Sequence, residues 1–182
     1  MLPRTLFPML LSLLLLAAPH SKVQSAKPAN PASADKDAVL KASDITPKIF
    51  PERVFFRGQI APVEFRNTGG VHFADGFYVL AGIVDNSGYS TGVREKYQAY
   101  LLTEVPLEVG GQQLKPGAYG FGFLTGGQFL VMDVGGHDLF QIASQRDKDL
   151  RRPTPLMVTT VPNSSAYRLY CGRDFVEFRR AQ

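Results

Sequence analysis

Leu107-Glu108-Val109-Gly110-Gly111-Gln112-Gln113-Leu114-Lys115-Pro116-Gly117-Ala118-Tyr119-Gly120-Phe121-Gly122-Phe123-Leu124-Thr125-Gly126-Gly127-Gln128-Phe129-Leu130-Val131-Met132-Asp133-Val134 is the stretch that decides the fold. Gly110-Gly111 separates two short extended runs, Leu107–Val109 and Gln112–Leu114. A Gly-Gly pair supplies the positive φ angles of a two-residue hairpin turn without a steric penalty. Pro116-Gly117 has the make-up of a type II turn, with φ fixed at the proline and free at the glycine. Gly126-Gly127 is a third turn signal. Together these predict an antiparallel meander.

The same punctuation runs outward in both directions. Arg53–Phe56 and Ile60–Phe65 read as the first strands, with Gly58 and Pro62 marking a bend or an edge. Phe77–Val84 is apolar on both alternating faces, as in a central strand covered on both sides. Gly88 to Lys96 is polar and reads as an exposed connection, and Tyr97–Thr103 as a strand. Downstream, Gln128–Val134, Leu139–Ala143, Leu156–Val161, Tyr167–Cys171 and Phe175–Phe178 read as further strands. Ser144–Leu150 reads as one or two helical turns stopped by Pro153. The fold class expected is all-β, an antiparallel β-sandwich or partly closed barrel of about ten short strands with one or two short helical turns.

Residues 1–25 have the layout of a secretory signal peptide: Arg4, an apolar run from Leu6 to Ala18, and a small-residue exit near Ser25-Ala26. The apolar run is shorter than the ~20 residues that span a bilayer. Residues 26–48 then read as a flexible linker with a short helix from Asp35 to Lys41, and 49–182 as a single domain. The expected location is therefore exported, periplasmic or extracellular, with no membrane span left after cleavage. The chain has 20 basic and 16 acidic residues. Loss of Arg4 and Lys22 with the leader leaves 18 against 16, a balance that gives no footprint for nucleic acid. Cys171 is the single cysteine, so no disulfide forms within the chain, and alternation puts its thiol on the buried side with Tyr167 and Leu169.

The run Leu107 to Phe123 resembles a segment of exported bacterial β-proteins grouped as a domain of unknown function, with a core V-G-G-x-x-L-P-A-G-x-Y. The tail Tyr167–Tyr170 and Gly172–Phe178 is similar to secreted hypothetical proteins of soil bacteria. The resemblance covers about a third of the mature chain. It implies a β-sandwich of the cell envelope and supplies no catalytic residues.

Two sets of residues carry the chemical options. His72 and Asp75 in V-H-F-A-D-G, with Asp133, His137 and Asp138 in D-V-G-G-H-D, would make a His₂–carboxylate metal site if the two loops met. The competing reading is that these residues close turns. Tyr89, Tyr97 and Tyr100 flank the polar loop 86–96 and are expected as a recognition surface for protein or glycan. Gly120 and Gly122 leave one face of their strand bare, for a flat ligand or a bulky side chain from another layer. No G-x-S-x-G elbow or phosphate-binding loop is present. The reading favoured is a non-catalytic envelope binding or interaction module without a cofactor, partnered by a protein or glycan. The alternatives are a metal- or carboxylate-dependent hydrolase built on the His72/Asp75 and Asp133/His137/Asp138 loops, and a domain assembling through an open strand edge.

Overall fold

The computed structural model describes residues 36–182. They form an all-β sandwich of two antiparallel sheets. The strands are β1 (Ala38–Leu40), β2 (Arg53–Phe56), β3 (Gln59–His72), β4 (Tyr78–Val84), β5 (Ala99–Thr103), β6 (Leu107–Val109), β7 (Gln112–Leu114), β8 (Gly117–Leu124), β9 (Gln128–Asp133), β10 (Asp138–Ala143), β11 (Gln145–Arg146), β12 (Met157–Thr160), β13 (Tyr167–Cys171) and β14 (Asp174–Arg180). A six-residue helix, α1 (Thr91–Lys96), joins β4 to β5. The first sheet runs β1-β3-β4-β5-β8-β9-β10, with β2 on β3. The second runs β12-β13-β14-β6-β7, with β11 on β14.

The decisive stretch divides between the sheets, which corrects the expectation of one continuous meander. Gly110 and Gly111, at φ 52° and 87°, turn β6 into β7 in the second sheet. Gly126 and Gly127, at φ 81° and 71°, turn β8 into β9 in the first. Lys115-Pro116 carries the chain from one sheet to the other rather than folding a hairpin. Proline has no N–H for a ladder, and a corner needs none.

Alternation along the first sheet then sorts two cores. Val79, Ala81, Leu101, Phe121, Phe129 and Val131 face the second sheet, meeting Leu107, Val158, Leu169, Val176 and Phe178. Leu80, Tyr100, Leu130 and Met132 face the other way and meet Phe50, Val54, Phe56, Ala61 and Val63. The apolar character of β4 on both faces is thus accounted for.

The cover on that second face is the β2–β3 hairpin. In the β3–β4 register, Val63 pairs with Val84 and Thr68 with Gly82, so residues 64–67 of β3 stand opposite Ile83 alone. A bulge of this kind bends a strand sharply. The Thr68 hydroxyl donates to the Phe65 carbonyl at 2.8 Å and holds the bend. Beyond it the hairpin lies across the sheet, and its tip reaches the β9–β10 turn. There the Arg57 N–H donates to the Val134 carbonyl at 2.8 Å. Arg57 sits at φ 49° and Gly58 at φ 78°, the two positive angles of the turn. An arginine in this region is strained by roughly 1–2 kcal/mol. Docking against Val134 and Gly136 offsets it, since Gly136 leaves bare the space filled by Arg57 Cγ and Cδ.

Three expectations fail locally. Ser144–Leu150 is not helical: Ser144 donates its N–H to Gly127, and Gln145–Arg146 then pairs with β14, moving the chain from the first sheet to the second. The helix from Asp35 to Lys41 is replaced by β1 paired to β3, and Ile45 is buried, so residues 38–48 belong to the fold rather than to a linker. Asp37 explains the attachment, because its carboxylate accepts from the Tyr167 hydroxyl (2.7 Å) and the Ala74 N–H (2.9 Å). The connection from Gly88 to Lys96 is exposed as expected, apart from the buried Tyr89, and its second half is the helix α1. Among the described residues the strands number fourteen where about ten are expected, because several are only two to four residues long. The signal-peptide reading of 1–25 lies outside the described residues.

Candidate functional site

Each residue of the metal reading is occupied by a local partner. His72, at the end of β3, stacks on Tyr78 with ring centroids 4.3 Å apart, and its buried Nε2 has no hydrogen-bond partner among the described residues. Asp75 binds Arg180 at 2.5 Å. The guanidinium of Arg180 also lies over the rings of Phe73 and Phe77. Its hydrogen bond holds the Asp75 carboxyl below the ordinary carboxylate value. Asp133 accepts from the His137 N–H at 2.9 Å and meets His137 Nδ1 at 2.9 Å, closing the turn through Gly135-Gly136. The backbone hydrogen bond from His137 is the main reason its pKa is lowered. Asp138 pairs with Lys96 at 2.6 Å.

The two loops do not converge. His72 on β3 and Asp133 on β9 are four interstrand steps apart in the first sheet, roughly 19 Å at the usual spacing. Among the described residues no group of three or more His, Cys, Asp or Glu side chains is close enough to hold a metal. Asp133 and His137 close a turn, as the competing reading expects, whereas Asp75 and Asp138 are held in ion pairs with Arg180 and Lys96 and His72 is stacked on Tyr78.

The tyrosine surface is corrected outright. Tyr89, Tyr97 and Tyr100 are 6%, 0% and 6% exposed. They lie under the β2–β3 hairpin, which local sequence reading could not place over them. The Tyr89 hydroxyl donates to the Phe56 carbonyl at 3.0 Å. Tyr97 stacks on Phe56 with centroids 3.8 Å apart, and burial pushes its pKa up. That ring pair fills the bare face of the glycine track: a Cβ at Gly120 would meet Phe56 and Tyr97, and one at Gly122 the Lys96 carbonyl. The track serves packing between layers. A void of about 10 Å³ between the sheets is lined only by apolar groups such as Val79, Leu107 and Phe129; it is a packing gap too small for a ligand. Cys171 is half-buried, and burial with the nearby Asp174 raises its pKa, the opposite of an activated thiol.

The feature left over is the outer face of the hairpin. Strand alternation that buries Val54, Phe56, Ala61 and Val63 turns Arg53, Phe55, Ile60 and Pro62 outward. Phe55 and Ile60 are direct cross-strand partners. They are 53% and 57% exposed. Arg53 stands opposite Pro62 beside them, and exposed Glu64 and Arg66 continue the same face. A readable signal existed: adjacent Phe55-Phe56 in an alternating strand must send one ring to each side. Comparisons with family models, curated proteins and solved structures find no match.

Proposed function

We propose that this domain is a non-catalytic interaction module of the cell envelope, exported by its leader, that binds a protein partner through the outer face of the β2–β3 hairpin. The observation that carries the reading is the Phe55–Ile60 pair, two large apolar side chains directly opposite one another and more than half exposed. The buried inner face of the same hairpin makes it a rigid platform, which suits recognition without reordering. An aromatic residue with arginine beside it is the composition of binding hot spots. The centre of the face is two bulky aliphatic and aromatic side chains, which an apolar protein surface covers more completely than a hydroxyl-rich sugar, so the face suits a protein better than a glycan.

Covering the remaining half of Phe55 and Ile60 is worth roughly 1 kcal/mol each, so losing both weakens binding about 30-fold. The test is a photoreactive residue in place of Ile60 in the full chain, expressed in its own cells. The expected result is one discrete protein adduct that disappears on Phe55→Ser and is absent when the probe stands at exposed Lys48. No adduct, a glycan adduct, or the same adducts from both positions would refute the reading. Export is tested by the mass of the mature chain, which should begin near Ser25 or Ala26; a retained leader contradicts it.

A further inference from the structure

Strand β10 ends the first sheet on the side opposite β1, and no described strand pairs with its outer edge. An edge of this kind presents unpaired N–H and C=O groups to any strand that arrives. The other outer strands are protected by shortness or by cover. β1 and β7 have three residues each, β2 has four and β11 two, and β12 packs across the gap onto β1 and β3. β10 has six residues. Its guards are a bulge at Leu139 and the charge of Asp138, which Lys96 already neutralises. From Leu139 to Ala143 the strand holds no charge, proline or glycine.

We propose that β10 pairs antiparallel with β10 of a second copy of this chain, about a twofold axis through Gln141, so that two first sheets become one. The sequence L-F-Q-I-A is self-complementary in that register. Phe140 comes opposite the partner's Ile142, Leu139 opposite the partner's Ala143, and Gln141 opposite the partner's Gln141. Phe140 and Ile142 already pack against the core between the sheets but are only partly buried. Across the axis each completes the cover of the other. Leu139, 46% exposed, gains an apolar neighbour on the opposite face. The two Gln141 amides each carry a donor and an acceptor and can bond one another. A slip of one residue would set Gln141 against the partner's Ile142, a polar group against an apolar one, so side-chain pattern fixes the register. The contact is isologous and closes at two copies.

Sedimentation equilibrium of the mature chain tests this. A concentration-dependent dimer is expected, and Gln141→Lys, which sets like charges at the axis from an exposed position, is expected to weaken it about tenfold or more. In a Cys171→Ser background, Gln141→Cys should oxidise to a covalent dimer. Leu139→Cys alone should not, but should cross-link when mixed with Ala143→Cys chains. The cysteine pattern decides the case even if the lysine variant folds poorly. A monomer at every concentration, cross-linking of Leu139→Cys to itself, or a dimer indifferent to Gln141→Lys would overturn the proposal. So would a dimer lost only on Phe55→Ser with Ile60→Ser, which would place the contact on the hairpin face instead.

Discussion

Replacing Gly120 by alanine sets a methyl carbon 2.5 Å from Phe56 Cε2 and 2.9 Å from Tyr97 Cδ2. Carbon atoms settle at about 3.5–4.0 Å, so the rings must move by roughly 1 Å. Neither can do so freely, because both are fully buried and stacked on each other at 3.8 Å. Overpacking of a tight core costs about 1–3 kcal/mol. The lower backbone entropy of the unfolded alanine chain returns about 0.4–1 kcal/mol. The net expectation is a loss of about 1–2 kcal/mol, read as a fall of about 0.5–1 M in the urea midpoint for a slope near 2 kcal/mol/M. Gly92→Ala is the matched control: nothing lies within 4 Å of its Cβ position in α1, so it should be neutral or raise the midpoint. A Gly120→Ala chain as stable as the parent would show that the hairpin does not press its rings onto the sheet.

Gly136→Ala should cost about 1–2 kcal/mol, since a side chain at φ +84° is strained and Arg57 occupies the space; the urea midpoint checks it. Asp37→Ala leaves the Tyr167 hydroxyl and Ala74 N–H without their acceptor, at about 1–2 kcal/mol and a drop of about 2–8 °C in Tm. Asp75 has a folded-state pKa below its ordinary value of 3.8 because Arg180 donates to it. Its contribution is therefore full above 3.8 and is lost as pH falls through the lowered folded value. Denaturation of parent and Asp75→Asn should differ at neutral pH and converge on acidification; a gap that widens in acid would contradict this.

The turns were legible because glycine pairs at Gly110-Gly111 and Gly126-Gly127 have few uses other than positive φ. The double-sided burial of β4 was legible in its unbroken apolar run, and the bare face of Gly120 in its sequence. What local pattern could not carry was the long-range placement of elements. Residues 64–67 look like more strand, yet they bend β3 and lay Phe56 over Tyr97. That single bend turns Tyr89, Tyr97 and Tyr100 from a surface into a core. In the same way His72 and His137 read as partners only on the condition that their two loops meet, and sheet order sets them four strands apart. The Leu139–Ala143 strand was visible, but its role at an edge depends on which strands neighbour it. Ser144–Leu150 reads as helical because its polar, charged pattern suits any exposed segment, and only the long-range pairing of Gln145–Arg146 with β14 decides its path.

The β2–β3 hairpin lies across the outer face of the first sheet, and nuclear Overhauser contacts between the Phe56 ring and the Gly120 α-protons measure that placement directly. Strong cross-peaks from Gly120 to both Phe56 and Tyr97, with the α-protons shifted upfield by the rings above them, are the result expected. Gly120 α-protons at ordinary shifts, with no contact to Phe56, would mean that the hairpin lies elsewhere and that its outward face is not the one described.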